Sequence, residues 1–151
     1  MQAKRIGVAS DHAGCRLKET ITHYLKDIGY EVIDYGAFDP KVSVNYPDYA
    51  YLLAKGIYNR EVWRGVLVCG TGIGASIAVN RYPFVRGALA YTPDLAAIAR
   101  SHNDANVLVL GERVMDAPTA VACVDAFMKT EFSGGRHAAR VKKLGEMPHV
   151  K

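Results

Sequence analysis

The chain is poor in the residues that cross-link a fold or hold a metal. Cys15, Cys69 and Cys123 are its only cysteines in 151 residues. They are too few and too scattered for a disulfide framework, and an odd count suits a reducing cytoplasm. No C-x-x-C pair and no H-E-x-x-H segment occurs, so neither a metal nor a redox cofactor is expected. No apolar run is long enough to cross a bilayer, and Met1 leads into a strand pattern with no apolar leader. A net charge of only +4 gives weak whole-molecule attraction to nucleic acid. Neither nucleic acid nor a membrane is expected as a partner. Internal repeats, low-complexity tracts and linkers are missing as well, and the length suits one domain over residues 1–151 with a sizeable core.

What is present alternates between strand and helix. Short apolar runs at 6–10, 31–35, 65–68, 86–91 and 106–110 read as strands. Segments with helical spacing lie between and after them, at 15–28, 48–58, 75–81, 93–101, 116–130 and 137–145. Pro93 suits a first helical turn, and Asp116 or Thr119 suits a cap. Apolar strands separated by helices predict an α/β domain, a doubly wound, Rossmann-like parallel sheet of five strands with helices on both faces. The expected order is 2-1-3-4-5. Ligands then bind beyond the carboxyl ends of strands one and three, where the order reverses. That places Asp11-His12-Ala13-Gly14 beside Cys69-Gly70-Thr71-Gly72-Ile73-Gly74.

The second of these loops carries the most chemistry. It sets a thiol, a hydroxyl and unencumbered backbone N–H groups at the start of a helix, where donors are unpaired and anions are favoured. The same environment promotes thiolate, the reactive form of cysteine. Gly70-x-Gly72-x-x-Ala75 also fits the loose dinucleotide fingerprint, with Asp94 downstream. That fingerprint normally follows the first strand, however, and no second domain is present to hold a substrate. A small-anion or oxyanion loop is the better reading, with a purely structural glycine turn as the plain alternative. Cys15 and Cys123 read as core thiols. Asp11-His12 reads as a helix cap with a surface histidine or as part of the site, and His102-Asn103-Asp104 as a polar turn or as part of the site. Arg136 and Arg140 are one helical turn apart in a basic segment with Lys129, Lys142 and Lys143. They form either a solvated face or a phosphate clamp, and arginine suits phosphate.

Six segments occur in a telling order: Ser10-Asp11-His12-Ala13-Gly14, Tyr46-Pro47-Asp48, Cys69 through Gly74, His102-Asn103-Asp104-Ala105-Asn106, Gly111-Glu112-Arg113-Val114 and Gly134-Gly135-Arg136-His137. Together they resemble ribose-5-phosphate isomerase type B, of the sugar-phosphate isomerase family that includes galactose-6-phosphate isomerase subunits. The resemblance covers nearly the whole chain. It implies an aldose–ketose isomerase of pentose phosphate metabolism that works without a cofactor. Cys69 would be the base that moves a proton between C2 and C1. The amides of Gly70, Thr71, Gly72, Ile73 and Gly74 would hold the enediolate, with the Thr71 hydroxyl assisting. His102 would open the sugar ring with Asp11 as its polar partner, and Asn103 would contact the sugar. His12, Arg113, Arg136 and Arg140 would hold the phosphate, and Tyr46 would lie near the site. The resemblance further implies a homodimer or tetramer whose protomers share each site.

Two residues depart from the family pattern, Arg81 where lysine is expected and Cys15 where an aromatic residue is usual. Some members use a carboxylate later in the glycine loop as base. Here that stretch is Ala75-Ser76, which leaves Cys69. The competing functions are a hexose 6-phosphate isomerase, a non-catalytic phosphosugar-binding module and a thiol redox protein. The last of these lacks a resolving cysteine.

Overall fold

The computed structural model describes residues 4–146. Five strands form one parallel sheet: β1 (Arg5–Ser10), β2 (Glu31–Asp34), β3 (Arg64–Cys69), β4 (Gly87–Leu89) and β5 (Val107–Gly111). A 3-10 turn, His12–Gly14, leads from β1 into helix α1 (Cys15–Asp27). The remaining helices are α2 (Tyr46–Tyr58), α3 (Ile73–Val79), α4 (Pro93–Asn103), α5 (Ala117–Lys129) and α6 (Arg136–Gly145). Among the described residues, no helix is long and apolar enough to cross a membrane.

Strand alternation sorts the core onto two faces. Val66 and Val68 of β3, with Leu108 and Leu110 of β5, pack under α1, α4 and α5. Leu67 and Cys69, with Val107 and Val109, pack under α2 and α3. Phe127 of α5 is completely buried, which by itself stabilises the fold by about 2–3 kcal/mol. The helix starts follow their caps. Thr92 accepts the Leu95 N–H at the head of α4, and Asp116, rather than Thr119, accepts the Thr119 N–H at the head of α5. Three helices begin earlier than their spacing predicts: α2 at Tyr46, with Pro47 in its first turn, α3 at Ile73, and α6 by one residue at Arg136.

The strand order is β2-β1-β3-β5-β4, not 2-1-3-4-5. The fifth strand sits inside and the fourth at the edge. The reason lies in their side chains. Val107–Gly111 is buried throughout, whereas the three-residue β4 is only half-buried. A short, partly wet strand belongs at an edge. The reversal point still falls between β1 and β3, so the Asp11 and Cys69 loops meet as topology requires.

Candidate active site

Beyond the carboxyl ends of β1 and β3 lies an open cavity of about 250 Å³, lined by Asp11, His12, Ala13, Tyr46, Cys69, Gly70, Thr71, Gly74 and Arg113. Cys69 ends β3 on the α2–α3 face, where its thiol is 5% exposed. Its Sγ accepts the Gly72 N–H at 3.1 Å. Gly72 has φ of +86°, and a Cβ there would lie 3.0 Å from the Leu110 carbonyl oxygen. Both conditions select glycine. A Cβ on Gly74 would collide with the Tyr46 ring at 2.3 Å, so that glycine is what lets the aromatic wall close on the loop.

The amides of the glycine loop divide into engaged and free. Gly72 N–H is held by the sulfur, and Ile73 N–H by the Thr71 hydroxyl oxygen at 3.2 Å. Neither is therefore a free donor for an enediolate in this state, contrary to expectation. Gly70, Thr71 and Gly74 line the cavity, and their N–H groups make no hydrogen bond among the described residues. Asp11 does serve as a cap, since its Oδ1 accepts the Gly14 N–H at 3.1 Å, yet it also lines the cavity. His12 Nδ1 accepts the Val44 N–H at 3.1 Å. In the neutral ring that leaves the proton on Nε2 as a donor. Tyr46 stands here because α2 starts two residues sooner than its apolar spacing suggests.

His102, Asn103 and Arg140 do not reach this cavity. They line a second one of about 280 Å³ with His137, Val141 and Leu144, and the two cavities share no residue. In a βαβ unit the helix returns antiparallel to the strands. His102, in the last turn of α4, is thereby carried to the amino end of the sheet, while Cys69 stands at the carboxyl end. The separation is roughly a strand's length, about 15–20 Å at ~3.3 Å per residue. Asp11 is thus no neighbour of His102 within one chain. The His102 ring stacks on His137, with centroids 4.3 Å apart and planes within 15°. Partial burial, then His102, Arg136 and Arg140, hold the His137 imidazole below the usual histidine range. Arg136 starts α6, and neither it nor Arg140 makes an ion pair among the described residues.

Sequence reasoning passed over three neighbours of these groups. His137 follows Arg136 directly, so its motif was in view while its stacking was not. Glu112 Oε1 accepts the Leu17 N–H at 2.6 Å, capping α1 from 95 residues away. The Tyr91 hydroxyl donates to the Thr71 carbonyl at 2.7 Å. Nothing in the spacing of Glu112 or Tyr91 signals these contacts. Cys15, the departure in the first helix, is buried and donates to the Ala37 carbonyl at 3.2 Å.

A sequence model of the ribose/galactose isomerase family matches residues 6–144. The chain belongs to this family. Ribose-5-phosphate isomerase B of Escherichia coli is 40% identical over 141 residues, which is 93% of this chain and 94% of that protein. A ribose 5-phosphate isomerase of Thermotoga maritima shares the fold with a TM-score of 0.93 at 47% identity, over 97% of this chain and 100% of its own. Ribose-5-phosphate isomerase B of Mycoplasma genitalium, solved with bound ribulose-5-phosphate, has a TM-score of 0.89 at 38% identity over 97% of both chains. The family is broader than one sugar, so membership fixes the reaction type more tightly than the substrate.

Proposed function

We propose that this chain is a ribose-5-phosphate isomerase, acting as one isomerase domain, that interconverts ribose 5-phosphate and ribulose 5-phosphate through an enediolate. The Cys69 cavity carries the reading: a thiol, free main-chain N–H groups, an imidazole and a guanidinium converge on one small space. The ligand named for the Mycoplasma genitalium relative supports the substrate.

Aldose–ketose isomerisation needs the ring opened, a weakly acidic C–H deprotonated, and the resulting negative charge held. Cys69, as thiolate, takes the proton from C2 of the aldose and returns one at C1, while the proton of the O2 hydroxyl passes to O1. The N–H groups of Gly70, Thr71 and Gly74 take the enediolate oxygens, each donor contributing about 3–4 kcal/mol at the transition state. The base returns as many protons as it takes and no electrons leave the substrate, so the reaction balances without a cofactor. His102 opens the ring, an acid–base task suited to imidazole, and Asn103 contacts the sugar. His12 and Arg113 meet the phosphate from the Cys69 side, and Arg136 and Arg140 from the other.

One chain holds these groups at opposite ends of its sheet, so a working site requires a second copy in a homodimer or a tetramer. The partner's basic half then faces the thiol half. Exposed apolar side chains pair one turn apart on two helices, Ile73 and Ile77 on α3, and Leu95 and Ile98 on α4. Covering such surface drives association. Three unpaired cysteines suit a reducing compartment such as the cytoplasm.

The test is isomerisation of ribose 5-phosphate in deuterated water. The wild-type protein should incorporate solvent deuterium into the sugar, and Cys69→Ala should not, while still binding the phosphosugar. Binding without exchange in the wild type would leave a phosphosugar-binding module. Faster turnover of allose 6-phosphate or galactose 6-phosphate would move the substrate to a hexose.

A further inference from the structure

Three successive carbonyls of the glycine loop are tied on one side. Cys69 O accepts the Glu112 N–H and Gly70 O accepts the Arg113 N–H, both at 2.9 Å. Thr71 O accepts the Tyr91 hydroxyl at 2.7 Å. A trans peptide points its N–H opposite to its C=O. The three ties therefore turn the N–H groups of Gly70, Thr71 and Gly72 away from the β5 side of the loop. Two of those N–H groups are among the three free donors of the cavity, and the third meets Cys69 Sγ at 3.1 Å.

The first two ties are main chain and extend the β3–β5 ladder. The third belongs to a side chain. Tyr91 follows the edge strand β4, and its phenol reaches past the end of β5 to the loop after β3. The ring is 38% exposed, and its hydroxyl engages Thr71 O. The Thr71–Gly72 peptide plane is thus gripped at both ends, by the phenol on its oxygen and by the sulfur on its nitrogen.

We infer that Tyr91 is a positioning residue for the base: its phenol fixes the Thr71–Gly72 peptide so that the Gly72 N–H is aimed at the Cys69 sulfur. An N–H bond to an anion is about twice as strong as one to a neutral group, so the aimed N–H holds the sulfur most firmly when it acts as the base. The inference rests on Cys69 being the base. Tyr91 touches neither the sugar nor the thiol and acts through one peptide.

Tyr91→Phe removes the hydroxyl and keeps the ring. Its kcat for ribose 5-phosphate should fall about tenfold, the size of one hydrogen bond to a charged group, with KM held within about twofold. A fall in kcat with KM unmoved is a split that a merely structural role would not produce. Iodoacetamide labelling of Cys69, located by mass spectrometry at pH 7, should be slower than in the wild type. Unchanged kcat, or a rise in KM alone, would overturn the inference. The labelling reads the same geometry without turnover. It therefore decides the point even if Cys69→Ala retains activity and the isomerase reading falls, and equal labelling rates would sink the inference by themselves.

Discussion

Three thiols in this chain meet three environments. Cys123 sits on the buried face of α5 in the apolar core, and burial pushes its pKa up to about 11. Cys15 is likewise raised, chiefly by burial, with Lys18 opposing. Both therefore stay protonated at neutral pH. Cys69 is just as enclosed by area, yet it lines an open cavity and receives an N–H. Enclosure by itself does not separate a reactive thiol from an inert one; the direction its sulfur faces does. With limiting iodoacetamide at pH 8, peptide mapping should find Cys69 modified first and Cys123 last. Labelling of Cys123 ahead of Cys69 would remove the thiolate from the site. Glycine acts at this scale too, since the φ of +86° at Gly72 turns the chain into α3 directly after the amide that meets the sulfur three residues back.

At the scale of elements, the turn after β5 works as a clip. Its backbone ties the ends of Cys69 and Gly70, and its Glu112 carboxylate caps α1 through Leu17. Helix α1 has no acidic residue in its own first turn, and Gly14 offers no side-chain cap, so the cap comes from across the fold. Loss of a helix cap costs about 1 kcal/mol. Glu112→Ala should therefore lower Tm by about 2–4 °C in a chain of this size, while Glu112→Gln, which keeps the acceptor oxygen, should lose about half of that. Arg113 is the next residue in the same clip, so Glu112→Ala should also raise KM for the phosphosugar. A thermal melt with parallel kinetics checks both; an unchanged Tm in the alanine variant would show that the cap contributes nothing. The edge position of β4 is a second element-scale result. It leaves Tyr91 one strand removed from the glycine loop, a gap its phenol spans past the end of β5.

For the whole molecule, the antiparallel return of α4 is decisive. It places the imidazole of His102 a sheet's length from the thiol, beside α6 and its two unpaired guanidiniums. No rotation of a side chain closes a gap of that size. Two inactive variants should then complement one another: Cys69→Ala mixed with Arg136→Ala in equal amounts should recover up to about a quarter of wild-type activity once subunits exchange, because random pairing leaves half the dimers hybrid with one intact site each. Zero recovery, with exchange confirmed by mass, would confine the site to a single chain. The stacked pair His102 and His137 belongs to the same half. An anion arriving there should raise the depressed His137 pKa toward its ordinary value, as a negative charge favours the imidazolium.

Much of this was legible in the residues. The alternation of apolar runs with helical spacing determined the parallel sheet, because a strand covered on both faces has to be apolar throughout. The reversal point between the first and third strands followed from the expected strand order, and it joined Asp11 and His12 to Cys69. The motifs determined the family. The order of the last two strands was not legible, because it turned on how much of β4 stays wet, which is a property of packing. Nor did spacing reveal which loop amides were engaged, that Glu112 caps a helix 95 residues away, or that Tyr91 grips Thr71. Sequence periodicity reports which face of an element turns inward. A hydrogen bond between distant segments depends on where those faces end in space, and only the assembled fold fixes that.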